Sequence, residues 1–310
     1  MLRLTMAQAE QLRRTPGATL ALFLTDRCPV GCGHCSVAAT ATGPTIRDWD
    51  LFEQVIAGVA ALPELRAVAV TGGEPFAERR GLVHAVERLS AAGKAVVLFT
   101  SGYWARAAVP DWIRQVLASV STVYLSTDSF HAAGLGPDRL RHAVDAVTGA
   151  GCHLVLQVLD EPGAADAARR LCPTADVSVI PPLPVGRGAG LFTQAPPRPL
   201  ADFGRCPLLS SPTVRYDGRI SACCNEAVIM GAGPPRLRRQ VSTAEQVPAA
   251  LAQLRADPVL TLIGRYGPPA LDVIVDGPVR TVCEACWAGA ERVATDPKAL
   301  AATTVLCGAR

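Results

Sequence analysis

Apolar residues along the chain fall into two alternating textures. Short runs rich in β-branched and aliphatic side chains have the length and composition of buried strands: TLALFL from Thr19, AVAVT from Ala67, AVVLFT from Ala95, TVYLS from Thr122, LVLQVL from Leu154 and VSVI from Val177. Between them apolar positions recur at helical spacing: Leu51, Phe52, Val55, Ile56, Val59 and Leu62, then Leu82, Val83, Val86 and Leu89 ahead of Gly93, then Leu140, Val144 and Val147 ahead of Gly151. Each stripe makes one apolar helix face, and the glycine just past it supplies a residue able to end the helix. Six strands alternating with helical windows predict βα units in succession. That implies a parallel sheet, open or curled as a partial (β/α)6 barrel of TIM-like α/β class, with function at the carboxyl ends of the strands.

The rhythm stops after Ile180. PPLPVGRGAG and QAPPRPLADFG read as linker, with Arg187 either clamping an anionic substrate group or decorating a flexible segment. Beyond Cys206, TVRYDGRISACC predicts a hairpin turning at Asp217 and Gly218, and STAEQVPAALAQLRAD predicts a helix with Ser242 as N-cap. The chain therefore divides into residues 1–190, of which 1–18 are an N-terminal extension, and a smaller unit over 191–310.

With 30 basic and 27 acidic side chains among 310 residues, the net charge of +3 gives no electrostatic case for nucleic acid. No run is long and apolar enough to cross a bilayer, and the N-terminus lacks the apolar centre of a signal peptide, so a cytoplasmic protein without a membrane partner is expected. Eleven cysteines change the picture. In a reducing compartment clustered thiols read as metal ligands or reactive groups rather than disulfides. Cys152, next to the fifth strand, and Cys172, in the fifth helix, read as core, and Cys307 lies in the tail.

Directly after the first strand comes LTDRCPVGCGHC. Three thiolates, Cys28, Cys32 and Cys35, are one short of the set that closes a tetrahedral zinc site or saturates a cubane, which points to an iron left open for an external ligand. The spacing C-x3-C-x2-C, followed by TGGEP over Thr71 to Pro75 at the end of the second strand, resembles the radical S-adenosylmethionine (SAM) superfamily. The resemblance implies that Cys28, Cys32 and Cys35 ligate a [4Fe-4S] cluster whose open iron takes the amine and carboxylate of SAM. Reduction then yields methionine and a 5′-deoxyadenosyl radical that abstracts hydrogen from unactivated carbon, with an electron donor such as flavodoxin or ferredoxin. Gly72, Gly73, Glu74 and Pro75 match the motif that holds the SAM amino group, glycine permitting close backbone approach to a ligand. His34 stands where relatives have an aromatic touching adenine, or is a loop histidine in water. Ser101, Ser126 and Asp128 end the third and fourth strands where relatives contact ribose and carboxylate, or act as turn formers and caps. Gln157 either points at SAM or finds a partner in the sheet. His131 either faces substrate or is solvated.

Cys206, Gly218, Cys223 and the Cys283-x2-Cys286 pair resemble the twitch domain, a small α+β shortened form of the SPASM domain in which four cysteines ligate an auxiliary [4Fe-4S] cluster; a four-cysteine zinc ribbon meets the same spacing. Cys224 is then left over as a buried structural thiol, as the true fourth ligand in place of Cys223, or as a hydrogen-atom donor of the kind found in twitch-type epimerases. The first two outcomes to weigh are epimerisation of a peptide or sugar carbon through Cys224 and twitch-type dehydrogenation of an aminocyclitol or aminoglycoside alcohol. A third is a peptide maturase forming a thioether or C-C crosslink, which the short N-terminus, with no room for a leader-recognition module, disfavours. A non-catalytic iron-sulfur sensor is the remaining class, and it would need neither GGEP nor an open iron.

Overall fold

A computed structural model describes residues 3–308. The chain opens with α1 (Met6–Arg13), then alternates β1 (Thr19–Phe23), α2 (Trp49–Ala60), β2 (Ala67–Thr71), α3 (Arg79–Ala91), β3 (Ala95–Thr100), α4 (Asp111–Ser119) and β4 (Thr122–Ser126). Two helices, α5 (Ser129–Leu135) and α6 (Pro137–Gly149), lead to β5 (His153–Leu159), α7 (Ala164–Leu171) and β6 (Asp176–Ile180). The six strands lie parallel in sequence order and within a residue of the apolar runs that predict them. Gly93 (φ +73°) and Gly151 (φ +71°) follow α3 and α6 in the left-handed region, as the spacing requires.

Strands β1 to β5 are largely apolar on both faces, because each face is covered, whereas the edge strand β6 is only half-buried with Val179 exposed. On the outside, Leu20, Leu22, Val68, Val70, Val96, Leu98, Val123, Leu125 and Leu156 pack against the apolar stripes of the helices. On the inside, Ala67, Ala95, Val97, Tyr124 and Val155 meet Leu4, Met6 and Leu12, so the N-terminal segment covers the inner face of the sheet. Thr5 closes α1 with a capping box, its side chain accepting from the Gln8 amide while the Gln8 side chain accepts from the Thr5 amide.

After β6 no helix follows. Pro181 and Pro182 stop the strand, and Gly186–Gly190 forms a short 3-10 segment. The hairpin β7 (Thr213–Arg215) and β8 (Arg219–Ser221) turns at Asp217 and Gly218 as predicted, Gly218 having φ +79°. Strand β7 pairs parallel with β1, and β8 pairs with β9 (Arg238–Gln240), so the sheet runs β6-β5-β4-β3-β2-β1-β7-β8-β9. The C-terminal hairpin thus extends the barrel sheet at its β1 edge. Helices α8 (Glu226–Ile229), α9 (Gln246–Arg255), α10 (Pro258–Arg265), α11 (Val282–Thr295) and α12 (Pro297–Gly308) complete the chain. The expected Ser242 cap is corrected: α9 begins at Gln246 with Glu245 at the cap position, because residues 243–245 form a tight turn (Gln246 N–H to Thr243 O, 3.3 Å) and Ser242 instead donates to Gln246 Oε1. Cys307 is half-buried in α12, its thiol donating to Pro258 O, while Cys152 and Cys172 are buried as expected. Among the described residues no helix is long and apolar enough to cross a membrane.

Candidate functional site

The loop from Asp26 to Thr40 carries Cys28, Cys32 and Cys35 above the carboxyl end of β1. It has almost no regular structure and is held by neighbours: Cys28 N–H bonds to Thr40 O (2.8 Å) and Asp26 N–H to Pro44 O (2.9 Å). Burial pushes the Cys28 thiol up to about 11, while the Val30 and Gly31 amides, aimed at its sulfur, pull the other way. Such N–H···S bonds stabilise a thiolate once a metal has displaced the proton.

The GGEP segment rests directly on this loop. Gly73 N–H bonds to Thr25 O (2.6 Å) and Glu74 N–H to Arg27 O (2.8 Å). A Cβ on Gly72 would stand 2.6 Å from Thr25 O, and one on Gly73 2.4 Å from Arg27 O. The close approach that demands glycine is therefore loop against loop. Pro75 begins a 3-10 turn, and Glu74 caps it. The Glu74 carboxylate is 1% exposed and takes four donors: Phe76 N–H (3.1 Å) and Thr100 Oγ1 (2.9 Å) on Oε1, Ser101 N–H (2.8 Å) and Ser101 Oγ (2.6 Å) on Oε2. Burial raises its pKa and these donors lower it, burial winning. Ser101 and Glu74 thus engage each other and tie the end of β2 to the end of β3.

At the end of β4, Asp128 is buried and caps α5, accepting from Phe130 N–H and His131 N–H (both 3.1 Å) and from His131 Nδ1–H (2.7 Å). Burial would raise the Asp128 pKa, but the His131 bonds hold it below the usual value. His131 is not solvated, contrary to one of the two expectations: its side chain is 16% exposed. Burial lowers its pKa, and hydrogen bonds to Asp128 and to Cys32 overcome this and lift it to about 10. His34 is likewise not a water-facing loop residue. It stacks on Phe130 (centroids 4.5 Å apart, planes 29° apart), lies 3.7 Å from Asp128, and has a buried Nδ1 with no partner among the described residues. Burial lowers the pKa of this imidazole, with the Asp128 carboxylate pulling the other way. An orphaned ring nitrogen beside the three-cysteine loop fits a hydrogen-bonding ligand such as an adenine. Ser126 and Gln157 are half-buried neighbours, in register with Ser178 across β4, β5 and β6 on the face that carries Tyr124 and Val155.

The C-terminal thiols converge. Cys206, Cys223, Cys283 and Cys286 line one pocket together with Asn225, Leu209, Leu260 and Trp287. The hairpin presents Cys223, the first turn of α11 presents Cys283 and Cys286, and Cys206 comes from the preceding coil. Burial raises all four thiols, Cys283 to about 12. Polar groups point at the sulfurs: Leu208 and Leu209 amides at Cys206, the Asn225 amide at Cys223, and Asn225 Nδ2 at Cys283 (3.4 Å). Four thiols with donors in one pocket suit a metal ion or an iron-sulfur cluster. Cys224 does not line this pocket. Its Sγ lies 3.8 Å from Leu208 O, and burial pushes its thiol up to about 11 against the opposing charge of Arg13 at the end of α1.

Two arginines have partners that their sequence positions do not reveal. Arg187, expected as a substrate clamp or linker decoration, donates from Nε to Cys32 O and from Nη1 to Ala39 O (both 2.8 Å). Arg215 on β7, 3% exposed, forms a bidentate pair with Asp26 (2.7 and 3.2 Å), which also accepts from Tyr216 OH (2.7 Å). A lone arginine between glycines was the only signal for the first, and an arginine at a buried strand position the only one for the second.

YydG of Bacillus subtilis (strain 168), named for peptide biosynthesis, is 23% identical over 117 residues, 37% of either chain, so the match spans little more than a third of that relative. Streptococcus suis SuiB bound to S-adenosylmethionine superposes with a TM-score of 0.54 at 14% identity, over 81% of this chain and 68% of SuiB. The structure of anSMEcpe with bound AdoMet and the Cp18Cys peptide gives 0.55 at 12% identity, over 93% and 99%. At such identities the superpositions establish the fold. The Radical SAM superfamily model matches residues 22–153, from β1 to the start of β5, the part of the chain in which the three-cysteine loop and the GGEP segment lie against each other.

Proposed function

We propose that this radical SAM enzyme epimerises a peptide at an α-carbon, with Cys224 delivering the hydrogen atom that completes inversion. The observation that carries this reading is the division of the adjacent cysteines: Cys223 lines the four-thiol pocket and Cys224 lies outside it, within electrostatic reach of the helix that covers the inner face of the barrel. Peptides are favoured as substrates because SuiB is described bound to the precursor peptide SuiA, anSMEcpe to the Cp18Cys peptide, and YydG is named for peptide biosynthesis.

In this reading Cys28, Cys32 and Cys35 hold a [4Fe-4S] cluster that binds SAM, and the pair supplies the 5′-deoxyadenosyl radical that removes the substrate hydrogen. Gly72, Gly73, Glu74 and Pro75 fix the distance between the SAM-binding loop and the ends of β2 and β3. His34, Asp128, Ser126 and Gln157 line the rest of the SAM pocket, and Ser101 acts through Glu74. Cys206, Cys223, Cys283 and Cys286 hold an auxiliary [4Fe-4S] cluster in a twitch-like unit over 191–310. At the opposite face of the substrate radical the Cys224 S–H bond breaks and a C–H bond forms. The sulfur radical left behind regains its hydrogen by taking one electron and one proton, the electron coming from a low-potential carrier of the flavodoxin or ferredoxin class.

The test is turnover in D2O with SAM, a chemical reductant and a panel of short candidate peptides. The wild-type product should carry one deuterium at one inverted α-carbon. Cys224→Ala should still form 5′-deoxyadenosine but yield no inverted residue. Inversion persisting in that variant sinks the assignment of the donor, and a product lighter by two hydrogens marks a dehydrogenase instead.

A further inference from the structure

The chain leaving β6 does not simply link two units. Gly186 adopts φ +58° with its hypothetical Cβ 2.4 Å from Ser36 O and 2.5 Å from Cys35 O, so only glycine lets this segment lie on the three-cysteine loop. Buried Gly188 is pressed in the same way against Leu183 O (2.4 Å) and His34 O (3.1 Å). Between them Arg187 takes three loop carbonyls: its amide bonds to Cys35 O (3.0 Å), Nε to Cys32 O and Nη1 to Ala39 O (both 2.8 Å). A loop without ladder bonds must find partners for its carbonyls, and a rigid guanidinium fork supplies them in fixed directions. Among the described residues Arg187 has no carboxylate within ion-pair distance, unlike Arg215 or Arg236. Its positive charge is therefore set against the loop unneutralised.

We propose that Arg187 is a positioning residue for the three-cysteine loop and that its uncompensated charge raises the reduction potential of the cluster held there. The proposal rests on Cys28, Cys32 and Cys35 holding that cluster. A nearby cation favours the reduced, more negative state of an iron-sulfur cluster, and hydrogen-bonded loop carbonyls hold the cation where it acts.

Two substitutions separate charge from shape. Arg187→Gln removes the charge and keeps one amide donor; Arg187→Lys keeps the charge and loses the fork. In the anaerobically reconstituted full-length protein, potentiometric titration followed by electron paramagnetic resonance reads the two clusters separately, a Cys28→Ala/Cys32→Ala/Cys35→Ala protein identifying the auxiliary signal. Arg187→Gln should shift the one-electron reduction equilibrium of the SAM-site cluster toward the oxidised state by about tenfold, or about 59 mV. Arg187→Lys should leave it near wild type, and the auxiliary signal should move in neither. A SAM-site potential unchanged in Arg187→Gln overturns the proposal. If that variant loads too little iron to titrate, amide exchange in the metal-free protein decides: exchange across residues 28–40 should quicken at least tenfold, and wild-type rates there overturn it. Iron content unaffected by the triple cysteine substitution would instead sink the cluster assignment beneath it, a distinct result.

Discussion

Glu74 shows how a motif residue can serve through its own supports. Each carboxylate oxygen accepts one backbone N–H, from Phe76 and from Ser101, so neither position tolerates an amide nitrogen. Glu74→Gln should therefore cost about 3 kcal/mol, the penalty of turning a buried acceptor toward a donor, read as a lowered urea midpoint of the metal-free protein. Thr100→Val, which removes one hydroxyl donor to Oε1, should cost about 1 kcal/mol in the same measurement. A wild-type midpoint in Glu74→Gln would mean that the four bonds do not govern the strand ends. GGEP was legible in the sequence because its glycines and acid follow a strand, yet the partners of Glu74 lie 26 and 27 positions away on another strand end, where serine and threonine are ordinary turn residues. Cysteine spacing singles out Cys223 over Cys224, since a ligand set is a local count, and of the two only Cys223 lines the pocket.

Among elements, β1 to β5 could be read from apolar runs because burial on both faces leaves little polar alternation to confuse them, and the half-buried β6 from its β-branched residues. Strand ends and capping were less readable: α9 starts late because a tight turn over 243–245 precedes it, a choice between two local hydrogen-bond patterns that composition does not make. The pairing of β7 with β1 left no trace in periodicity, since a three-residue strand carries too little pattern. It is fastened by charge. Arg215 and Asp26 are both buried, with Tyr216 OH completing the carboxylate and the guanidinium lying over Phe23 (4.7 Å to the ring centre). Arg215→Met leaves a buried carboxylate unpaired and should cost about 3–5 kcal/mol in urea unfolding. Adding Asp26→Asn should recover part of the loss, because the uncompensated charge is removed with its partner. Equal stability of the single and double variants would show that the pair contributes through packing alone.

Across the whole molecule, the three-cysteine loop and Cys223 are carried by elements of one sheet. Asp26 stands two residues before Cys28, and Arg215 leads through the β7–β8 hairpin to Cys223; the bidentate pair thus ties the root of the three-cysteine loop to the strand that leads to Cys223. The main core is continuous across the same boundary, with Val214, Ile220, Val228, Leu237 and Leu251 packed in one cluster with Leu20, Phe52 and Val55. Residues 1–190 look like a separable unit in the sequence, because proline and glycine after Ile180 mark a break in texture. In the structure that fragment would expose the β1 edge, leave Asp26 buried without its cation, and uncover the apolar side of α2 that faces α9. An open, flat apolar edge invites pairing with other chains. A chain ending at residue 190 should therefore elute as aggregate or dimer by size exclusion and exchange β1 amides rapidly, while the full chain protects them. A monomeric 1–190 fragment with β1 protection equal to that of the full chain would show instead that the barrel folds independently and that the hairpin is merely docked on it.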